Sequence, residues 1–316
     1  MALMAPIDAP ETPPIPLSVV IVNWNGAELL PGCLAPLDGY GIEVIVVDNG
    51  STDASLELLA TSFPEIRVVA NPDNRGFAAA SNQGLRLATA PYVLFLNNDT
   101  VPDPKALEEL TAFLAHNPNA GVVGPALVFP GGRRQPSCGP GPNLWTEILA
   151  KTLLHRALPG LREKAPGLTC RVDWVTGAAL CMRRDQALEL GGLDEAMFMF
   201  YEDLDLCARV REAGRQVWFV ATPPIVHLGG ATRRRVEARS LIDSYQSADL
   251  FFSRHGPRWR RELLRTLTVP EMSLRMGVWG LLFLSRPRRA LARERLRAYR
   301  TILRLASTGH TTPPGA

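Results

Sequence analysis

The chain has 316 residues, 46% hydrophobic and 21% charged, a composition that sets it among ordinary globular proteins and excludes a disordered or fibrous one. A net charge of +3 is too small to argue for a nucleic-acid partner. No apolar stretch reaches the roughly 18 residues that a membrane-spanning helix needs. Five scattered cysteines, Cys33, Cys138, Cys170, Cys181 and Cys207, include no C-x-x-C pair, which fits a reducing compartment and argues against structural zinc or a redox dithiol.

Met1 to Pro16 is rich in Pro and Ala, lacks the basic and apolar regions of a secretory signal, and reads as a disordered lead-in. Leu17 to Asn23 is a β-branched run ending in the polar cluster Asn23-Trp24-Asn25-Gly26, followed by a helical pattern from Ala27 to Leu30. The same order recurs at Glu43 to Val47, which ends in Asp48-Asn49-Gly50-Ser51-Thr52-Asp53 before a helix over Ser55 to Ala60, with Asp53 as its N-cap. A third strand, Ile66 to Ala70, leads into the small-residue helix Gly76 to Gly84, which allows close approach to a neighbour. Tyr92 to Leu96 is the fourth strand and stops abruptly at Asn97-Asn98-Asp99-Thr100. This β-α-β-α alternation predicts a parallel, doubly wound sheet.

An amphipathic helix from Asp103 to His116 and a strand from Gly121 to Phe129 follow. Pro130 to Asp173 is rich in Gly and Pro and reads as a variable excursion rather than scaffold, with a helix near Trp145 to His155. Trp174 to Met182 reads as one strand, Arg184 to Leu190 as a short helix, and Glu202-Asp203-Leu204-Asp205 as the start of another helix. Gln216 to Val220 and Ile225 to Leu228 read as two short strands, and the chain from Arg233 onward as mostly helical.

Three polar constellations each follow an apolar segment: the Asp48 loop, Asn97 to Asp99, and Glu202-Asp203 with Asp205. Ligands of open α/β sheets gather beyond the carboxyl ends of strands. Carboxylates presented there, Asp48 and Asp99 above all, can bind a divalent cation that holds a diphosphate. Residue by residue the plainer readings stand beside this one. Asn97-Asn98-Asp99 and Asp48-Asn49-Gly50 are ordinary turns, Glu202-Asp203 suits a helix N-terminus, and His227 beside Gly229-Gly230 is a core histidine. There is no G-x-G-x-x-G after the first strand, no G-x-x-x-x-G-K-[ST] and no G-x-S-x-G, which disfavours hydride transfer, ATP hydrolysis and a serine nucleophile.

Taken in order, the motifs Val19 to Gly26, Val46 to Asp53, Asn74-Arg75-Gly76-Phe77, Leu96 to Thr100, Tyr201 to Asp205, and His227 resemble those of an inverting family 2 glycosyltransferase with the GT-A fold, especially its bacterial rhamnosyltransferase-like branch. The likeness spans about residues 17 to 255. It implies an α/β GT-A fold: a mostly parallel doubly wound sheet with a helical C-terminal extension. The domains expected from it are a lead-in at 1–16, a catalytic domain at 17–255 divided into a nucleotide-sugar half (17–129) and an acceptor half (130–255), and a basic helical extension at 256–316.

The resemblance also implies roles. Asn23, Asp48, Arg75 and Asn98 would surround a nucleoside diphosphate sugar, dTDP-rhamnose or a UDP-sugar. Asp99 and His227 would hold a divalent metal, Mg2+ or Mn2+, although Asn97 stands where the family's D-x-D motif has its first acid. Asp203 would be the general base that takes the acceptor hydroxyl's proton, because that hydroxyl is a poor nucleophile near neutral pH. Trp174, Thr176, Gly177 and Glu202 are candidates for the acceptor site, with Asp205 orienting either acceptor or helix. The acceptor would be a glycan or a lipid-linked sugar, in cell-wall or polysaccharide synthesis. A sugar nucleotidyltransferase is the enzymatic rival, and its Gly-rich first loop is missing after Ile21. A non-catalytic nucleotide-sugar binder is the other rival, at odds with Asp99, Asp203 and His227 occurring together.

From Arg254 to Arg304 many arginines face only three acids, Glu262, Glu271 and Glu294. Arg286-Pro287-Arg288-Arg289 follows the apolar Val278 to Leu284, so this segment can rest on an anionic membrane surface, with a solvated basic helix or a homo-oligomer contact as the alternatives. The expected location is cytoplasmic, with peripheral contact at the inner membrane surface.

Overall fold

In the computed structural model, residues 14–142, 147–148, 164–229, 237–283 and 289–308 are described. The lead-in before residue 14, most of the helix expected near Trp145 to His155, and Arg286 to Arg288 lie outside them. Strand β1 (Leu17–Asn23) is followed by the short helix α1 (Leu30–Leu34), β2 (Glu43–Asp48), α2 (Ser55–Ser62), β3 (Arg67–Ala70), α3 (Phe77–Leu87) and β4 (Tyr92–Asn97). Then come β5 (Thr100–Val101), α4 (Pro104–His116), β6 (Ala120–Val128), β7 (Arg134–Gln135), β8 (Cys138–Gly139), β9 (Cys170–Val172), β10 (Trp174–Val175) and β11 (Ala179–Arg183). The last elements are α5 (Arg184–Glu189), α6 (Glu202–Glu212), β12 (Gln216–His227), α7 (Glu237–Arg254), α8 (Arg258–Phe283) and α9 (Arg289–Thr308).

The main sheet runs β3-β2-β1-β4-β11-β6-β12-β5, with β7 added to β6 and β9 to β12. Strands β3, β2, β1 and β4 are all parallel. Beyond them the sheet is mixed: β11 lies antiparallel between β4 and β6, while β6 and β12 are parallel. The apolar runs of β1, β2 and β4 are strands buried on both faces, as parallel sheets require, while the edge strand β3 is largely exposed. Val19, Ile21, Val46, Leu94 and Leu96 fill one core layer, and Val20, Ile45, Val47, Val93 and Phe95 fill the other. Helix α3 lies close on β1, since a Cβ at Gly84 would come within 2.3 Å of Val20 Cγ1. The small-residue helix makes the close approach that its composition predicts.

Three expectations are corrected. Trp174 to Met182 is two strands in different sheets, because Thr176-Gly177-Ala178 turns between β10 and β11. Gln216 to His227 is one long strand rather than two, with its register on β6 shifting between Val220 and Ile225, where Pro223 and Pro224 cannot donate to a ladder. The stretch from Pro130 to Asp173 is partly scaffold, since it supplies β7, β8 and β9.

The C-terminal helices pack through two clusters, the first of them on the α/β body. Phe251, Phe252 and Leu264 join Met197 and Ala208, with Tyr201 and Leu204 against them. Met272, Tyr299 and Ile302 tie α8 to α9, with Leu241, Ile242 and Tyr245 of α7 alongside. No described helix is long and apolar enough to cross a membrane.

Candidate active site

At the carboxyl ends of β1, β2 and β4, a buried polar group links three loops. Asn23 Nδ2 donates to Asp48 Oδ2 at 3.0 Å, and Asn98 Nδ2 donates to Asn23 Oδ1 at 2.8 Å. The other Asp48 oxygen accepts from the Ser51 N–H at 2.9 Å. Asn23 and Asp48 are fully buried, so both carboxylate oxygens of Asp48 are engaged inside the protein. Asn25 sits in the left-handed region, φ 50°, and its side-chain oxygen accepts from the Thr52 N–H at 2.7 Å, clamping the first loop to the second. Asn49 bridges onward: its Nδ2 donates to Asn74 Oδ1 at 2.9 Å, and its Oδ1 accepts from the Arg75 N–H at 3.1 Å. The Arg75 side chain is exposed beside this group.

The second group forms because β5 crosses to the far edge of the sheet and pairs with the end of β12, register Thr100↔His227. That pairing sets the buried Asp99 beside the buried His227, whose Nε2 lies 3.2 Å from Asp99 Oδ1. His227 Nδ1 donates to Gln135 Oε1 at 3.0 Å, a partner that no local sequence signal names. In the neutral imidazole this bond puts the ring proton on Nδ1 and leaves the Nε2 lone pair facing the carboxylate. Nε2 is buried and makes no hydrogen bond among the described residues.

The third group is built at the start of α6. Phe200 and Tyr201 both have positive φ, 71° and 65°, a conformation that non-glycine residues seldom adopt. Tyr201 is held there by its ring against Phe251, 5.6 Å between centroids, and its hydroxyl donates to Glu147 Oε2 at 3.5 Å. Immediately afterwards Glu202 is buried, and its Oε2 has no hydrogen-bond partner among the described residues. Burial, and then the neighbouring Asp203, push the Glu202 carboxyl well above its ordinary range. Asp203 is half-buried. Its Oδ2 accepts from the Gly177 N–H and its Oδ1 from the Leu204 N–H, each at 2.8 Å. The Asn97 N–H donates to the Ala178 carbonyl at 3.0 Å, so the turn Thr176-Gly177-Ala178 joins the Asp203 region to the end of β4.

Trp174 is half-buried, with its indole N–H on the Pro140 carbonyl at 2.9 Å. Asp205 is fully buried and faces the protein interior: Oδ2 accepts from Arg209 Nε at 2.7 Å, and Oδ1 lies 2.7 Å from His255 Nε2. Both of its oxygens are engaged within the protein. Four of the cysteines offer no thiolate, since burial pushes Cys33, Cys138, Cys181 and Cys207 up to about 12.

A parallel half-sheet with amide-lined loops at its carboxyl end, joined to a mixed half carrying acids and a histidine, is the GT-A architecture. A mannosyltransferase from Pyrobaculum calidifontis, solved with GDP-Man and Mn2+, matches it over 96% of this chain and 92% of that one, with TM-score 0.52 and 19% identity. The model of glycosyl transferase family 2 matches residues 18–160. The chain is similar to this family over those residues and is a glycosyltransferase. An N-acetylglucosaminyl-diphospho-decaprenol L-rhamnosyltransferase of Mycobacterium tuberculosis is 27% identical over 277 residues, 79% of this chain and 89% of that protein. A pre-mycofactocin glycosyltransferase of the same organism is 32% identical over 213 residues, 67% of this chain and 42% of that protein.

Proposed function

We propose that the protein is a metal-dependent, inverting rhamnosyltransferase that moves a sugar from a nucleoside diphosphate donor, dTDP-rhamnose first, to a hydroxyl of a lipid-linked glycan. The observation that carries this reading is the facing pair of Asp99 Oδ1 and His227 Nε2, 3.2 Å apart and both buried. With the imidazole neutral, two lone-pair groups turned toward each other are a natural pair of ligands for a cation, and the Gln135 bond on Nδ1 is the outer contact that orients a metal-binding histidine. These residues therefore fit a divalent cation. Among the described residues no third His, Cys, Asp or Glu completes a cage, which suits Mg2+ or Mn2+ held by few protein groups together with substrate phosphates. When bound, the cation offsets negative charge on the departing diphosphate.

The chain's own residues do the rest in this reading. Asn23, Asp48 and Asn98 shape the loops that meet the nucleotide, and the exposed Arg75 beside them supplies a positive charge for it. Asp203, steadied by the Gly177 and Leu204 N–H groups, takes the proton of the acceptor hydroxyl as it attacks the face opposite the nucleotide. Burial, and then Asp203, hold the Glu202 carboxyl well above its ordinary range, which favours Asp203 as the base of the pair. Thr176, Gly177 and Trp174 border the approach to Asp203. The rhamnosyl donor and lipid-linked acceptor are supported by the name of the mycobacterial relative. A lipid-linked acceptor presents its sugar at a bilayer surface, so the reading includes a cytoplasmic, membrane-peripheral location.

A panel of nucleotide sugars read by thermal shift, with and without Mn2+, tests the proposal. Ligand at about 100 times its Kd adds roughly 2.7 kcal/mol to folded-state stability, well within reach of the measurement. dTDP-rhamnose with Mn2+ should give the largest shift, and Asp99→Ala or His227→Ala should remove the metal-dependent part. An equal shift without metal, or one unchanged in both variants, would overturn the site.

A further inference from the structure

The hairpin of α8 and α9 leaves two kinds of surface that the transfer reaction does not use. On α8, Leu274, Val278 and Leu281 are 69%, 48% and 72% exposed, and their spacing sets them on one face of the helix. On α9, Ala292, Tyr299, Ile302 and Ala306 are buried, and the opposite face carries Arg293, Arg297, Arg300 and Arg304, all exposed and again at helical spacing. Arg297, Arg300 and Arg304 make no ion pair among the described residues. The two surfaces meet at the hairpin's tip. There the guanidinium carbons of Arg289 and Arg293 lie 5.6 and 5.9 Å from the centre of the Phe283 ring, two residues beyond Leu281.

We propose that this tip is a docking surface for an anionic phospholipid bilayer. Charge complementarity selects the occupant: a stripe of arginines without ion pairs among the described residues, with Glu294 the one acid in α9, meets a negative headgroup layer. Aliphatic side chains standing in water beside that stripe have no partner on a nucleic-acid backbone, whereas they enter the boundary between headgroups and acyl chains. Phe283 under two guanidinium groups matches the same boundary, where the ring sits in the apolar layer and the cations reach the phosphates. No transmembrane element is needed for such an attachment. The consequence for the enzyme follows from packing. Helices α7 and α8 carry Phe251, Phe252 and Leu264, which pack with Tyr201 just before Asp203, so the element that meets the membrane also supports the proposed base. The surface gives physical form to the membrane-peripheral part of the proposed function, and its biological sense rests on that reading. Its test does not.

The full chain is mixed with vesicles containing phosphatidylglycerol and, separately, with pure phosphatidylcholine vesicles, and bound protein is measured by co-sedimentation without donor or acceptor. Binding should appear only with phosphatidylglycerol and weaken as salt rises. Each arginine lost in Arg293→Ala/Arg297→Ala should weaken it about fivefold. Leu274→Ser/Leu281→Ser should weaken it about tenfold through lost apolar burial. Both pairs are on the surface, so their melting temperatures and metal-dependent nucleotide shifts should match the parent's. Equal binding to neutral vesicles, or binding that neither double variant changes, would overturn the proposal. So would a dimer in light scattering that Leu274→Ser/Leu281→Ser abolishes in a protein indifferent to vesicles, since the occupant is then a second copy. A wrong donor leaves vesicle binding intact, and failed vesicle binding leaves the nucleotide-sugar panel intact, which keeps the two readings separable.

Discussion

The loops at the ends of β1, β2 and β4 and the region around Asp99, Glu202 and His227 are both buried and polar, yet they are finished differently. In the first, Asn23, Asp48, Asn49 and Asn98 each have side-chain partners at 2.8 to 3.0 Å. In the second, His227 Nε2 and Glu202 Oε2 are buried without hydrogen bonds among the described residues, and two successive aromatic residues take positive φ. An unsatisfied buried polar atom costs about 1–3 kcal/mol, and a strained backbone residue a similar amount. A fold keeps such costs where the surroundings hold them in place, and here Phe251, Gln135 and the Gly177 turn do so. In the proposed function the satisfied network is a stiff frame for a donor, and the unsatisfied groups are those that would meet metal, phosphate and acceptor.

The largest expected effect tests whether chemistry belongs to the second region. Asp203→Asn keeps the size and one oxygen of the side chain and loses its basicity. Transfer should fall about 10²- to 10⁴-fold, the range for removing a general base, while the nucleotide-induced thermal shift persists. Turnover at the parental rate would end the assignment. Next comes Gln135→Leu, which frees His227 Nδ1. Metal affinity should drop about 10- to 100-fold, read as the Mn2+ concentration that half-restores activity. An unchanged metal requirement would show that the histidine needs no orienting partner.

The same division governs what the sequence makes legible. Strand ends at Asn23, Asp48 and Asn97 can be read directly, because an apolar run that stops at polar residues is a local pattern and the sheet aligns such stops at one edge. The pairing of β5 with β12 joins residues 127 positions apart, and only the family likeness draws Asp99 and His227 together beforehand. Gln135 lies within the stretch read as an excursion. Pro130-Gly131-Gly132 is a turn signal, and folding a hairpin there sets Gln135 opposite Leu127, so a stricter reading of that turn brings it into the sheet. The pair Pro223-Pro224 reads as a break and is instead an irregularity within one strand. Nothing local marks His255 as the neighbour of Asp205, since their contact exists only once α7 is laid across α6.

A smaller effect tests the frame itself. A Cβ at Gly26 would meet Asn98 Nδ2 at 2.3 Å and Asn23 Oδ1 at 2.4 Å. Gly26→Ala must therefore displace the hydrogen bond between those side chains, and overfilling of this kind costs about 1–3 kcal/mol. Denaturant unfolding should register that loss, with the donor-induced shift reduced and the metal requirement unchanged. Parental stability would mean that the network has slack and that the contrast between the two regions is overstated.

The subtlest expectation concerns Glu202 and depends on pH. Its carboxyl is held well above 4.5 in the folded protein by burial and then by Asp203, while the unfolded chain titrates at its ordinary value. As pH rises past 4.5, the unfolded chain releases this proton before the folded one does, so the term disfavours folding increasingly until the folded value is passed. Glu202→Gln removes the titration and keeps the shape. Its melting temperature relative to the parent should be independent of pH below 4.5 and should rise steadily above it. Because the neutral amide resembles the protonated acid, transfer dependent on Asp203 should survive in this variant. A stability difference that stays flat across the range would mean that Glu202 is ionised in the folded protein, and the division of labour between the two carboxyls would then have to be reversed.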